Sequence, residues 1–393
     1  MNFYRVPAVG MTHGFRRVVG TFCASLIKKN IKIEPSLFGC RYIYDYCSGK
    51  AALVVALKAL SQLEVSRREV VVPAYTCYSV AAAVEAAGLK MVLCDLVPET
   101  LDFNYGGLRS VVNSNTLCII STHFFCKSAD IYQARKIADS VGAYLVEDAA
   151  QSGVDPDQGQ MLSDITLHSF GRGKPISANG GGILAVNRDD ISVAINSLYS
   201  RLSDPARVQE LKSAFAMMIS DVLIQPYIFW LPAKLPFLGI GETIYPEHIS
   251  VKKMGGFRLL LLQKMIKRVP ALRGVRQVNA SFYINKLKKC SGISLLPPLG
   301  EAYCPIRFPC YVDSGFDLSA KGKLLPGELG ISQMYPQGLH KLAQIKQFCL
   351  NCSGIFPGAD FISSHLIALP THSLVSARTG SHIVSYLDGN TSD

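Results

Sequence analysis

The sequence predicts an α/β protein: a mostly parallel central sheet with helices on both faces, followed by a smaller C-terminal α+β domain. Three observations carry this. Residues 43–190 repeat a rhythm in which a short β-branched run is followed by a helical stretch rich in alanine. The strand candidates are apolar throughout rather than alternating, which marks strands buried on both faces. After residue 190 the rhythm breaks, and shorter strand and helix signals return from residue 300 onward.

In chain order, EVVVP (69–73) precedes the helical SVAAAVEAAG (79–88), and MVLCD (91–95) and TLCIIST (116–122) read as further strands. DIYQARKIADSVG (130–142) reads as a helix and AYLVED (143–148) as the next strand. Gly88 and Gly142 sit just past their helices, where C-terminal caps favour glycine. The stretch 214–246 is strongly apolar, holds the single tryptophan, Trp230, and is broken by four prolines. Its charge-free core, residues 222–233, is too short to span a membrane. It is expected to form a buried subunit or domain interface, with contact to a membrane surface as the sharper alternative. Later, IRFPCYV (306–312) reads as a strand, KLAQIKQFC (341–349) as a helix and LIALPTHS (366–373) as a strand. The expected division is an N-terminal segment 1–40, a large domain 41–275 with the apolar insertion, and a small domain 276–393.

The composition, 49% hydrophobic and 18% charged over 393 residues, excludes a disordered chain. Lysine and arginine number 40 against 29 acids, a net charge of +11, which favours anionic partners. The basic residues are scattered, without a run or an aromatic-interleaved stripe, so nucleic acid is not an expected partner. The N-terminal stretch has no continuous apolar core of a signal peptide, and a cytoplasmic protein with reduced cysteines is expected. Cys349 and Cys352 have metal-ligand spacing, but His365 and His372 are too widely set for a zinc finger, so no metal is expected.

Three motifs fall where strand ends meet helix starts or loops, the edge at which parallel α/β sheets bind ligands. In CSGKAAL (47–53) a Ser-Gly turn enters an alanine-rich helix, leaving N–H groups that suit a phosphate, with Lys50 adding charge. Ser48 would equally be an ordinary N-cap. In YLVEDAAQSG (144–153) a strand delivers Glu147 and Asp148, and such an acid is either a helix cap, a partner for a buried cation, or a group that holds a proton on a pyridine nitrogen. In SFGRGKPISANGGG (169–182) Lys174 stands among glycines. GRGKPIS lacks P-loop spacing, leaving a solvated lysine or an amine that attacks a carbonyl to form a Schiff base.

A phosphate cradle, a strand-end acid and a lysine twenty-six residues later are together the parts needed for pyridoxal 5′-phosphate. The chain resembles the DegT/StrS family of sugar aminotransferases, which have the aspartate aminotransferase fold (fold type I). The resemblance lies in SGKAAL, VVPAYTCYSVAAAVEAAGLKMVLCD, EDAAQ, SF followed by Lys174 and GGG, GISQMYP (330–336) and LPTH (369–372). It implies that Lys174 is the Schiff-base lysine and base, and Asp148 the partner of the ring nitrogen. It further implies that Gln151 lies against the ring or its 3-hydroxyl, and that Ser169 and the Ser48, Gly49, Lys50, Ala51 turn bind the phosphate. The substrates it implies are a keto sugar, nucleotide-linked, and an amino acid donor, glutamate, with the chain acting as a homodimer in polysaccharide or glycoconjugate biosynthesis. Three positions depart from the family pattern. Lys50 replaces a threonine, Cys77 stands where an aromatic stacks on the ring, and Gly256 replaces an asparagine that reaches the neighbouring subunit. Tyr78, His123 or Phe124 are the candidates to stack in place of Cys77. Another pyridoxal-phosphate sugar reaction, dehydration or isomerisation, and a non-catalytic scaffold are the rival readings.

Overall fold

The computed structural model describes residues 4–28, 31–154, 162–234, 243–297, 303–313 and 326–389. Its strands are β1 (Tyr42–Tyr46), β2 (Glu69–Pro73), β3 (Lys90–Cys94), β4 (Leu96–Val97), β5 (Asp102–Phe103), β6 (Thr116–Thr122), β7 (Tyr144–Asp148), β8 (Ile165–Ser169), β9 (Gly182–Val186), β10 (Ile293–Leu295), β11 (Arg307–Val312) and β12 (Leu366–Pro370). The helices of the first half are α1 (Phe15–Ile27), α2 (Gly49–Leu63), α3 (Tyr78–Ala86), α4 (Tyr105–Val111), α5 (Ile131–Val141) and α6 (Asp189–Tyr199). Those of the second half are α7 (Arg207–Leu223), α8 (Trp230–Ala233), α9 (Gly256–Ile266), α10 (Val269–Leu287), α11 (Pro357–His365) and α12 (Ala377–Gly389).

Seven strands form the main sheet in the order β1-β9-β8-β7-β6-β2-β3. Pairs β2·β3, β2·β6, β6·β7 and β7·β8 are parallel, and β9 runs antiparallel to both neighbours. The reason the strands are apolar throughout is visible residue by residue. Val70, Val72, Cys118, Ile120, Val146 and Leu184 pack on the side of α2 and α3. Their neighbours Val71, Ile119 and Leu145 pack with Ala134, Ile137 and Ala138 of α5, while Ile183 and Ala185 pack with Leu261, Leu262 and Met265 of α9. Each strand therefore feeds two cores at once, and no position is left for a polar face. Gly142 ends α5 at φ 65° and Gly88 follows α3 at φ 73°, a conformation glycine adopts without steric cost.

The smaller C-terminal sheet has the order β10-β11-β12, all antiparallel, with α10 and α12 closing its core. Helix α10 runs through residue 276, so at that expected boundary the chain is helical.

The expected helix KLAQIKQFC is not an α-helix. Residues 339–341 and 343–345 form single 3-10 turns instead. The segment spends its backbone groups on the large domain: Leu339 N–H donates to Ala74 O at 2.7 Å, Met91 N–H to Phe348 O at 2.9 Å and Leu350 N–H to Met91 O at 2.9 Å. Met91 belongs to β3, the edge strand, and the segment caps that edge, a stronger demand on unpaired backbone than a marginal helix can oppose.

In the apolar stretch, residues 235–242 lie outside the described residues. Of residues 214–234 only Ala214, Met217, Pro226 and Pro232 are buried. Val208, Leu211, Phe215, Ile219 and Val222 form one exposed stripe of α7, with Tyr227 and Leu231 beyond it. Among the described residues no helix is long and apolar enough to cross a membrane.

Candidate active site

The site is built where β7 and β8 end and α2 begins. Ser48 caps α2, its hydroxyl accepting from Ala51 N–H at 3.2 Å, a bond worth about 1 kcal/mol to a helix. The backbone of Ser48 also bridges to Gly181, and Gly181 N–H donates to Cys47 O at 2.9 Å. Glycine is required on both sides of this junction. A Cβ on Gly49 would lie 2.8 Å from the Ser169 Cβ, and one on Gly182 would lie 2.6 Å from the Gly49 Cα and from the Ser48 carbonyl oxygen. The amide end of α2 is thus pressed against Ser169, with no side chain between them. A helix N-terminus favours an anion. Lys50 is the second residue of α2 and is partly buried.

Asp148 ends β7 and is 5% exposed. Its Oδ1 accepts from Ala150 N–H at 3.0 Å. Burial pushes its carboxyl above the ordinary value, and the cation of Lys174 pulls it back. Glu147, its neighbour, points to the other side of the sheet and is spent on structure. His123 Nε2 bonds its Oε1 at 2.7 Å, and Ser163 Oγ donates to its Oε2 at 3.0 Å. Since Ala129 N–H donates to His123 Nδ1 at 2.9 Å, the ring proton sits on Nε2, facing the carboxylate. Burial alone would raise the Glu147 carboxyl; the bonds from His123 and Ser163 bring it below the ordinary range. Glu147 is thus committed to His123 and Ser163.

Lys174 follows Gly173, which has φ 76°, in a turn closed by Lys174 N–H to Gly171 O at 3.3 Å. Its side chain is partly buried, and among the described residues no group bonds its Nζ. Gln151 is 2% exposed and uses both ends of its amide: Oε1 accepts from Phe125 N–H at 3.1 Å and Nε2 donates to Tyr335 OH at 3.2 Å. That second bond joins the large domain to the GISQMYP segment. Cys77 contacts Ser79, Sγ to Oγ 2.9 Å. Of the side chains considered for stacking, Tyr78 is held by Gln337 through its hydroxyl and His123 by Glu147, while Phe124 packs near Tyr75 with ring centroids 6.2 Å apart. Gly256 opens α9, and Arg258, two residues on, lies against Gly180 and donates to Ser213 Oγ at 3.1 Å.

Cys349 and Cys352 sit in the segment that caps β3, His372 Nε2 bonds Pro7 O at 2.8 Å, and His365 stacks on Phe361. Among the described residues no group of three His, Cys, Asp or Glu side chains could hold a metal ion.

Four further residues were not singled out from the sequence. Tyr75 and Tyr335 pack edge to face at 5.2 Å, and Tyr335 N–H donates to Tyr75 OH at 3.3 Å. Arg276 Nη2 donates to Pro175 O at 2.6 Å, beside Lys174, and Arg307 Nη1 to Ser332 Oγ at 3.2 Å. The one signal for Arg307 was a charge opening the otherwise apolar run IRFPCYV.

Residues 36–223 match the model of the DegT/DnrJ/EryC1/StrS aminotransferase family. GDP-perosamine synthase of Vibrio cholerae is 26% identical over 147 residues, 37% of this chain and 40% of that protein. The UDP-2-acetamido-2-deoxy-3-oxo-D-glucuronate aminotransferase of Pseudomonas aeruginosa is 29% identical over 164 residues, 41% of this chain and 45% of its own length. The chain thus spans under half the length of these curated relatives. Among solved structures, Helicobacter pylori PseC, an aminotransferase of pseudoaminic acid biosynthesis, superposes with a TM-score of 0.73 at 15% identity, covering 99% of this chain and 98% of that one. The likeness to PseC establishes the fold, and over residues 36–223 the chain is similar to the DegT/DnrJ/EryC1/StrS aminotransferase family.

Proposed function

We propose that the protein is a pyridoxal-5′-phosphate-dependent aminotransferase that moves an amino group from an amino acid, glutamate, to a keto sugar carried on a nucleotide. The observation that carries this reading is the buried carboxyl of Asp148, whose main attractive partner is the cation of Lys174, together with the α2 N-terminus that Gly49 and Gly182 bring against Ser169. The residues present fit the cofactor. The α2 amides and Ser169 would hold its phosphate, and the glycines at 49 and 182 let the start of α2, Ser169 and β9 approach one another closely. Bound there, pyridoxal phosphate supplies an electron sink for a carbon bearing an amino group. Asp148 keeps a proton at the ring nitrogen, the form in which that ring withdraws electrons. Lys174 Nζ, with no competing bond among the described residues, takes and returns a proton at the substrate carbon. Gln151 fixes the edge of the site by tying Phe125 to Tyr335.

The net charge of +11 supports a diphosphate-bearing sugar, as do the sugar-nucleotide names of the relatives. A place in polysaccharide or glycoconjugate assembly and a cytoplasmic location go with this reading. Association of two copies into a homodimer goes with it as well; a protein that sediments as a monomer would contradict that.

The test is spectroscopic. The cofactor-loaded protein should show a visible absorbance band that shifts on adding L-glutamate and returns on adding the keto sugar. A protein that never takes up the cofactor is a scaffold. A band that no amino donor moves, with the sugar still consumed, is another pyridoxal-phosphate reaction.

A further inference from the structure

Helices α1 and α7 pack on each other, and both pack on α9, whose Leu261, Leu262 and Met265 lie against the main sheet. Their inner sides are spent there: Val18 and Phe22 of α1, and Ala214 and Met217 of α7, pack into the same core. Their outer sides therefore point the same way, away from the sheet. What they carry there is apolar. On α7, Leu211, Phe215 and Ile219 follow one another at helical spacing with Val208 and Val222 at the ends, a single exposed stripe along the helix. On α1, Phe15, Leu26 and Ile27 are exposed, Ile27 at 82%, and Tyr227 and Leu231 continue beyond the end of α7. A soluble monomer rarely leaves a contiguous patch of this kind uncovered.

The charge around the stripe is of one sign. Arg16 and Lys28 are exposed at the two ends of α1, Arg207 and Lys212 on α7, and Lys234 just after α8. At ~3.6 residues per turn, Arg207 and Lys212 fall on opposite flanks of the stripe. The only acids of the three helices, Glu210 and Asp221, lie on the other side of α7 and are spent on neighbouring backbone. Glu210 Oε1 accepts from Phe257 N–H at 3.0 Å, and Asp221 Oδ2 accepts from the N–H groups of His13 at 2.8 Å and Gly14 at 2.7 Å. We propose that this face docks the protein on an anionic lipid surface, the apolar stripe entering the headgroup layer and the flanking cations meeting lipid phosphates. Among the described residues no helix is long and apolar enough to cross a membrane, and the contact is that of helices lying in the interface plane. A second copy of the chain fits the face less well. A two-fold interface lays a patch against itself, and here it would set cations against cations with no acid on either helix to answer them. The proposal does not rest on the aminotransferase reading.

The full chain, loaded with cofactor, is floated with vesicles of phosphatidylcholine alone and of phosphatidylcholine with phosphatidylglycerol, at low and at high salt, and its sedimentation is measured without lipid. Wild type should float with the anionic vesicles only, and less as salt rises. The double variant Leu211→Ser/Phe215→Ser should bind them about 10-fold or more weakly, from the apolar area withdrawn. Arg207→Gln and Lys212→Gln should each weaken binding about 5-fold, the share of one cation near such a surface. All these positions are exposed, so thermal unfolding and sedimentation should match wild type. Wild type that does not float with anionic vesicles at low salt overturns the proposal, and so does flotation that none of the variants reduces. A stripe variant that turns a larger species into a smaller one in sedimentation also overturns it, and gives the face to a second copy.

Discussion

Lowering the pH from 8 to 5 should destabilise this fold through two buried histidines. His168 is 4% exposed and His372 5% exposed, and burial holds each ring at a pKa of about 4 against an ordinary value of 6.5. The unfolded chain takes up protons on these rings from about 6.5 downward, the folded chain only near 4, so stability falls as pH drops through that window and is constant above it. At pH 5, about 1.5 units below the ordinary value, the loss is about 2 kcal/mol per ring, or about 4 kcal/mol for the pair. The surroundings do not rescue the charge. His168 faces Glu147, already bonded to His123, and gives its Nδ1 to Gly153 O at 3.0 Å. His372 faces Arg276 and Arg307, both cationic. His340, also lowered by burial, acts in the same direction. Carboxyls held low by their partners, such as Asp190 beside Arg188 and Asp360 beside Lys341, lose their contribution only at more acid pH. Urea unfolding at pH 8 and pH 5 measures the effect, and His168→Asn and His372→Asn should each remove about 2 kcal/mol of the difference. Stability that is flat across this range, or a slope that neither variant reduces, refutes the reasoning.

Gly182→Ala places a Cβ 2.6 Å from backbone atoms of Ser48 and Gly49, which have no side chain to move aside. It should lower stability by about 1–3 kcal/mol and weaken cofactor retention in equilibrium dialysis; unchanged retention would mean the α2 junction is not the phosphate cradle. Asp148→Asn should keep part of the cofactor affinity and cut the half-reaction with glutamate by about 100-fold or more in stopped-flow absorbance, since the ring proton loses its counter-charge. A near wild-type rate would detach Asp148 from that role. Glu147→Gln should leave the half-reaction rate within a few-fold and act on thermal stability, because its carboxylate serves His123 and Ser163; a rate loss as large as that of Asp148→Asn would move the acid role to Glu147.

Much of the large sheet was legible because burial on both faces leaves an unbroken apolar signature, as in EVVVP, TLCIIST and AYLVED, and glycine marks the helix ends. Strands β8 and β9 were harder to see. ITLHS carries a histidine and a serine, and GILAV begins on a glycine that exists to let α2 approach, so their composition serves the site rather than the sheet. KLAQIKQFC misled because its apolar spacing is local while its fate was decided by an unpaired strand edge more than 250 residues earlier in the chain, at Met91. In the site, Ser48, Asp148 and Ser169 could be named as candidates from short motifs because each sits at a strand end or helix start, and Lys174 because it stands among glycines in the turn after β8. Arg276 could not be. It meets Pro175, beside Lys174, because tertiary packing brings α10 there, and no local pattern encodes that.

The account stands most directly on the amine of Lys174. Borohydride reduction of the cofactor-saturated protein, followed by proteolysis and mass spectrometry, should place a pyridoxyl group on the peptide containing Lys174 and on no other. A tag on a different lysine, or none in protein that has taken up the cofactor, contradicts it.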